Sequence, residues 1–292
     1  MAREAANVSR LQLVMRIPKR NAFLKRTVYE ALSVLDVCAV SVDEVLLACN
    51  DAGVRAVSLH TAQLVAHEPN AIRKVWRVAF VAHTNTLLLL VQSRPDFCCT
   101  DQLVSLRRNG SEWLEVQRLD IRVRDWLQLF NIAVCDSRVL LGGRGGDTLY
   151  VFDVSAESTL RDAGNVTLQS SVDDLACTRR DGVTLVAVSY DNSVSLLRLT
   201  SLPLRLEPLA SVNLTKPYRL LFRGDLLLVN SWNHTTRSNA CGAFRVSGNE
   251  LTEWRVLLVY EVGVSVHYWA LAGDRLVFWN DKSEELCVYA FT

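Results

Sequence analysis

Three stretches carry residue types that could do chemistry. Gly142-Gly143-Arg144-Gly145-Gly146-Asp147 offers glycines whose backbone amides could approach an anion closely. It lacks the Gly-Lys-Ser/Thr ending of a phosphate loop and sits between two strand-like runs instead of before a helix. It therefore reads as a hairpin loop with Arg144 at its tip. Cys98-Cys99, in QSRPDFCCTD, would need two further ligands to hold zinc tetrahedrally, and the nearest histidine, His83, lies at the far end of its strand. The five histidines (His60, His67, His83, His234 and His267) form no His-X-X-X-His or Cys/His cluster. No Gly-X-Ser-X-Gly nucleophile elbow is present, so a triad could arise only from residues that converge in space.

These residues must be positioned by a sizeable apolar framework. Of 292 residues, half are hydrophobic and 22% charged, which favours a packed core over disorder. The formal charge of +1 provides no overall attraction to nucleic acid. No apolar run approaches the roughly 18 residues of a membrane helix, so neither a nucleic-acid nor a membrane partner is expected. Residues 1–26 concentrate seven Lys or Arg against one Glu, but their apolar run Leu11–Met15 is too short for a signal-peptide core. Cys38, Cys49, Cys135, Cys177 and Cys287 sit in apolar strand-like runs, as small buried hydrophobes do. With no secretory signal, a reducing, cytoplasmic setting follows.

The framework is legible in Thr184–Thr200, TLVAVSYDNSVSLLRLT: an apolar strand, a polar turn at Tyr190-Asp191-Asn192-Ser193, and a strand alternating apolar with polar. Equivalent second strands recur at Val54–Leu59, Gln102–Arg107, Thr148–Val154, Gly242–Val246 and Glu285–Ala290, with successive starts 43 to 49 residues apart. That interval suits a four-stranded propeller blade. An acid or amide precedes each first hairpin strand (Asp43, Asn85, Asp136, Asp181, Asp225, Asp274) and reads as turn punctuation rather than catalysis. The sixth repeat ends at ELCVYAFT without an outer strand, and Arg10–Ile17, RLQLVMRI, is the segment available to supply it. The expected organisation is one domain over 1–292: a closing strand at 10–17, a basic connector at 18–33, and blades over 34–292.

On the pieces SYDNSVSLLRL, GRGGDTLYVFDV, NDAGVRAVSL and NDKSEELCVYAF, nearly the whole chain resembles a divergent WD40-like or YVTN-like β-propeller. No repeat carries the Trp-Asp ending or Gly-His opening of well-kept WD40 repeats, so the His/Asp network of that family does not transfer. The resemblance implies an all-β ring, six blades by the count above with seven as the alternative, and a central channel lined by the first strand of each blade. Asp36, Arg77, Asp125, Asp173, Asp174, Arg219 and His267 would then face the channel. Some six-bladed propellers hold a divalent cation at the channel mouth; Asp36, Asp125 and Asp173 would suit its oxygen chemistry. That alternative is a metal-dependent hydrolase or lactonase, against a bland reading of Asp–Arg pairs in a solvated channel. The preferred function is a protein-interaction scaffold, monomeric and without a cofactor, because long loops on a rigid ring are usual binding sites. Two such loops, Ser93–Thr100 and Ser231–Ala240, belong to opposite blades and share a face. Arg94, Phe97, Arg144, Trp232 and Arg237 give that face the aromatic and Arg content of interaction hot spots.

Overall fold

The hairpin around Asp191-Asn192 pairs Thr184 with Leu199 and Tyr190 with Ser193. Val186, Val188, Val194 and Leu196 are fully buried, while Asp191 and Asn192 stand in solvent. The computed structural model describes residues 10–18, 34–49, 53–65, 72, 74–92, 101–110, 112–121, 128–144, 146–233, 238–260, 268–280 and 282–292. The basic connector beyond Pro18, through residue 33, lies outside them.

The chain opens with β1 (Leu11–Pro18), then builds its first blade from β2 (Val34–Ala39), β3 (Glu44–Cys49), β4 (Gly53–Ser58) and β5 (Gln63–Val65). The second holds β6 (Val75–Val81), β7 (Thr86–Gln92), β8 (Asp101–Asn109) and β9 (Glu112–Ile121). The third holds β10 (Gln128–Cys135), β11 (Arg138–Arg144), β12 (Thr148–Val154) and β13 (Leu160–Thr167). The fourth is β14 (Asp174–Arg180), β15 (Val183–Tyr190), β16 (Ser193–Ser201) and β17 (Leu204–Asn213). β18 (Pro217–Arg223), β19 (Leu226–Asn233), β20 (Ser238–Ser247) and β21 (Glu250–Val259) form the fifth. β22 (Trp269–Ala272), β23 (Arg275–Asn280) and β24 (Glu285–Phe291) begin the sixth, and β1 completes it as outer strand in the order β1-β24-β23-β22. The fold is a six-bladed β-propeller closed by its N-terminal strand, as the repeat count predicts.

Alternation along the inner strands explains the packing. Val37, Val78, Leu175, Leu220 and Trp269 are each buried against the preceding blade. The residues one step further, Ala79, Ala133, Ala176 and Ala270, face the following blade. Period-two strands thus feed apolar side chains into both neighbouring interfaces, and six clusters, one per interface, hold the ring together. Full burial of each Val or Leu is worth about 1.5–3 kcal/mol. β1 contributes Leu11 and Ile17, both buried, to the two clusters flanking the sixth blade.

The punctuating residues act as expected and also bridge blades. Asn85, Asp136 and Asp181 take the left-handed backbone that tight hairpins demand, with φ of 52°, 52° and 51°. Asp43, Asp136 and Asp274 pair with Arg275, Arg179 and Arg223 of an adjacent blade at 3.1, 3.2 and 3.4 Å. The glycine run has a packing reason: Gly142 lies within β11, where a Cβ would come 2.7 Å from Leu175 of the next blade. The expected long loop at Ser231–Ala240 is shorter than predicted. β19 and β20 continue pairing through Trp232↔Asn239 and Asn233↔Ser238, because the polar run SWN still alternates across the ladder.

Candidate functional site

Each blade presents one polar residue at the same level of the channel: Asp36, Arg77, Asn131, Asp174, Arg219 and Tyr268, immediately before the apolar residue that faces the preceding blade. In four blades a β-bulge stands directly ahead of this position, between Val34/Asp36, Val75/Arg77, Leu129/Asn131 and Pro217/Arg219. Such a bulge re-aims the side chain that follows it.

The six residues form a connected network. Arg219 donates from Nη1 to Asp174 Oδ1 at 3.0 Å and from Nη2 to Asp36 Oδ1, joining the fifth blade to the fourth and the first. The second oxygen of each carboxylate accepts a main-chain N–H from the following blade: Val78 to Asp36 Oδ2 at 3.1 Å, and Leu220 to Asp174 Oδ2 at 2.7 Å. Arg77 donates back to the Leu35 carbonyl at 2.7 Å, and Asn131 Nδ2 donates forward to the Asp173 carbonyl at 2.8 Å. The Tyr268 ring lies 5.2 Å from the Arg77 guanidinium and 5.8 Å from that of Arg219, within cation–π range of both.

Two carboxylates and two guanidiniums leave the ring without net charge. Asp36 and Asp174 are 2% and 1% exposed, so their ionised forms depend on these partners. Burial works against the charge of Arg219, but Asp174, Asp36 and Tyr268 together hold its pKa above the ordinary arginine value. Burial also pushes Asp174 up, opposed by Arg219 and the Leu220 N–H. The four hydrogen bonds received by the two carboxylates favour the charged pairing. Beyond the ring the channel continues as a cavity of about 300 Å³ lined mainly by apolar side chains, among them Phe80, Val134, Cys177, Phe222 and Leu271.

The residues singled out in the sequence distribute as follows. Asp36, Arg77, Asp174 and Arg219 join the ring. Asp173 falls one position outside it and contributes its carbonyl, while Asp125 and His267 lie outside the described residues. Arg219 stands between the two ring carboxylates, where a cation shared by them would sit. Among the described residues no group of three or more His, Cys, Asp or Glu side chains is arranged to hold a metal ion. Of the loop residues, Arg144 ends β11 opposite Gln128, at the start of an inner strand and so at the ring's end of the blade. Half-buried Trp232 lies at the same end of the fifth blade, its main-chain N–H donating to the Lys216 carbonyl at 3.3 Å. Beside it Tyr218 donates to Asn239 Oδ1. Arg94, Phe97 and Arg237, like Cys98-Cys99, lie outside the described residues.

Asn131 and Tyr268 are ring members that sequence reasoning missed. Asn131 sits in the apolar run LFNIAVC, and Tyr268 is shadowed by the preceding histidine; only the shared register with Asp36 and Arg219 marks them.

No protein-family model matches the chain, and no curated protein matches it significantly by sequence. Solved structures do. The β-propeller domain of Cps50 (Swd1) from Myceliophteria thermophila aligns with a TM-score of 0.59 at 12% identity, over 92% of this chain and 86% of that one. A protein from Lactobacillus plantarum aligns with a TM-score of 0.63 at 11% identity, over 90% of this chain and 82% of the other. The likeness is one of fold. The propeller resemblance read from the repeats therefore stands at the level of architecture.

Proposed function

We propose that this propeller is a protein-interaction scaffold that receives a protein partner on the face where the polar ring opens. The observation that carries this reading is the placement of Trp232, half-buried near the end of β19, whose main chain is tied to the preceding connection at Lys216. A large aromatic held on a rigid element costs little ordering entropy on binding, and Trp and Arg dominate interaction hot spots. The neutral ring beneath supports the same reading, because Arg219 pairs with both buried carboxylates and ties three blades into a stiff platform. Arg94, Phe97, Arg144 and Arg237 are the proposed companions of Trp232 at this surface. The proposal includes a monomeric, cytoplasmic protein working without a cofactor.

The test is affinity capture from the native cell with the wild-type chain and with a Trp232→Ala/Arg237→Ala variant. Loss of a specific co-purifying protein, with the melting temperature unchanged, is the expected result. Equal recovery by both chains would remove the proposed surface.

A further inference from the structure

We propose that Cys135 and Cys177 form an oxidation site, a dithiol that hydrogen peroxide converts to a disulfide bolting the third blade to the fourth. Their inner strands, β10 and β14, run side by side around the channel, and two contacts fix their relative height. At one end Asn131 reaches the Asp173 carbonyl, 42 residues on; at the other Asp136 pairs with Arg179, 43 residues on. Cys135 and Cys177 lie between these contacts at the same interval, so the register brings the two thiols level with each other. They point into the same interface: Cys177 packs with the cluster between the third and fourth blades, and Ala133, two residues before Cys135 on the same face of β10, belongs to that cluster too. Cys177 also lines the channel cavity, which gives a peroxide-sized oxidant a route to the pair.

The pair is chemically unequal. The hydrogen bond from Cys177 holds the Cys135 thiol below the ordinary cysteine value, although burial opposes this. Burial keeps Cys177 protonated. Cys135 is therefore the nucleophile: its thiolate attacks one peroxide oxygen, the O–O bond breaks, and a sulfenic acid forms with loss of hydroxide. The Cys177 sulfur then attacks the sulfenic sulfur, the S–S bond forms and the S–OH oxygen leaves as water, taking up the Cys177 proton. Overall, two thiols are oxidised and one peroxide is reduced to two waters. Asn131–Asp173 and Asp136–Arg179 hold the strands in place throughout, so the bond closes with local side-chain movement.

The test treats the reduced full chain with hydrogen peroxide, blocks remaining thiols with N-ethylmaleimide and maps the unreduced digest by mass spectrometry. The expected result is a cross-linked species joining the Cys135 and Cys177 peptides, reverting with dithiothreitol. Cys177→Ser should lose that species and leave Cys135 as a trappable sulfenic acid, whereas Cys241→Ser should retain it. Wild-type protein in which both residues carry N-ethylmaleimide after peroxide, or in which either cross-links preferentially elsewhere, overturns the proposal.

Discussion

Arg219 of the fifth blade binds Asp36 of the first across the channel, and the same guanidinium holds Asp174 of the fourth. One side chain thus links three of the six blades at the centre of the ring. Removing it strands two buried carboxylates together, which typically costs about 3–5 kcal/mol. Arg219→Met is expected to show a loss of that size in urea unfolding. Asp36→Asn/Asp174→Asn/Arg219→Met should recover more than half of it, because no buried carboxylate is left without its guanidinium. The single variant's penalty should also shrink with acidification. Arg219 opposes the upward push of burial on Asp174, so without it the folded carboxyl moves further above its unfolded value; the penalty is least below the unfolded pKa and grows as pH rises through the folded one. A pH-independent loss would show that the carboxylates are not its source.

The closing strand should matter to the whole ring. Deleting residues 1–17 removes Leu11 and Ile17, buried at 3% and 0%, and exposes the edge of β24. Each lost large side chain costs about 2–5 kcal/mol, so the thermal transition followed by circular dichroism should fall markedly. An unchanged melting temperature would contradict the closure.

Gly53 sits where backbone shape and space agree. Its φ is +70°, and an added Cβ would stand 2.4 Å from the Ile72 carbonyl oxygen. Gly53→Ala should cost about 1–3 kcal/mol or more through strain and the displaced connection. Gly110→Ala is the control, with φ of +60° but open space around it, and should cost less. Equal melting temperatures for the two variants would show that the Ile72 contact does not matter.

Binding and stability should separate at Trp232. It lies outside the six interface clusters, so Trp232→Ala should shift the melting temperature little while abolishing capture of a partner. A fall in melting temperature comparable to that from losing the closing strand would instead make Trp232 a core residue.

The architecture is readable because period-two alternation and turn residues repeat at a nearly constant interval, and each copy reinforces the next. The ring is harder to read. Asp173 and Asp174 are chemically alike, but a one-residue slip reverses which neighbour a strand residue faces, and the structure puts Asp174 in the ring. Bulges cause the same difficulty at Asn131, because the irregularity that re-aims it leaves no mark in LFNIAVC. Cys135 and Cys177 read as separate apolar fillers, since only the alignment of two different blades sets them at the same level.

The clasp between β1 and β24 also sets an order of events during synthesis. Arg10 and Thr292, 282 residues apart, exchange main-chain hydrogen bonds at its end. β1 is made before all the strands of the blades and must therefore wait for β24 before it finds its partner. Contacts between such distant positions slow folding, and an unpaired strand invites association with other chains. A nascent chain carries Leu13 and Val14, which stay solvent-exposed even in the finished ring, through that whole interval. The seam that completes the molecule is thus also the point at which a growing chain most needs protection.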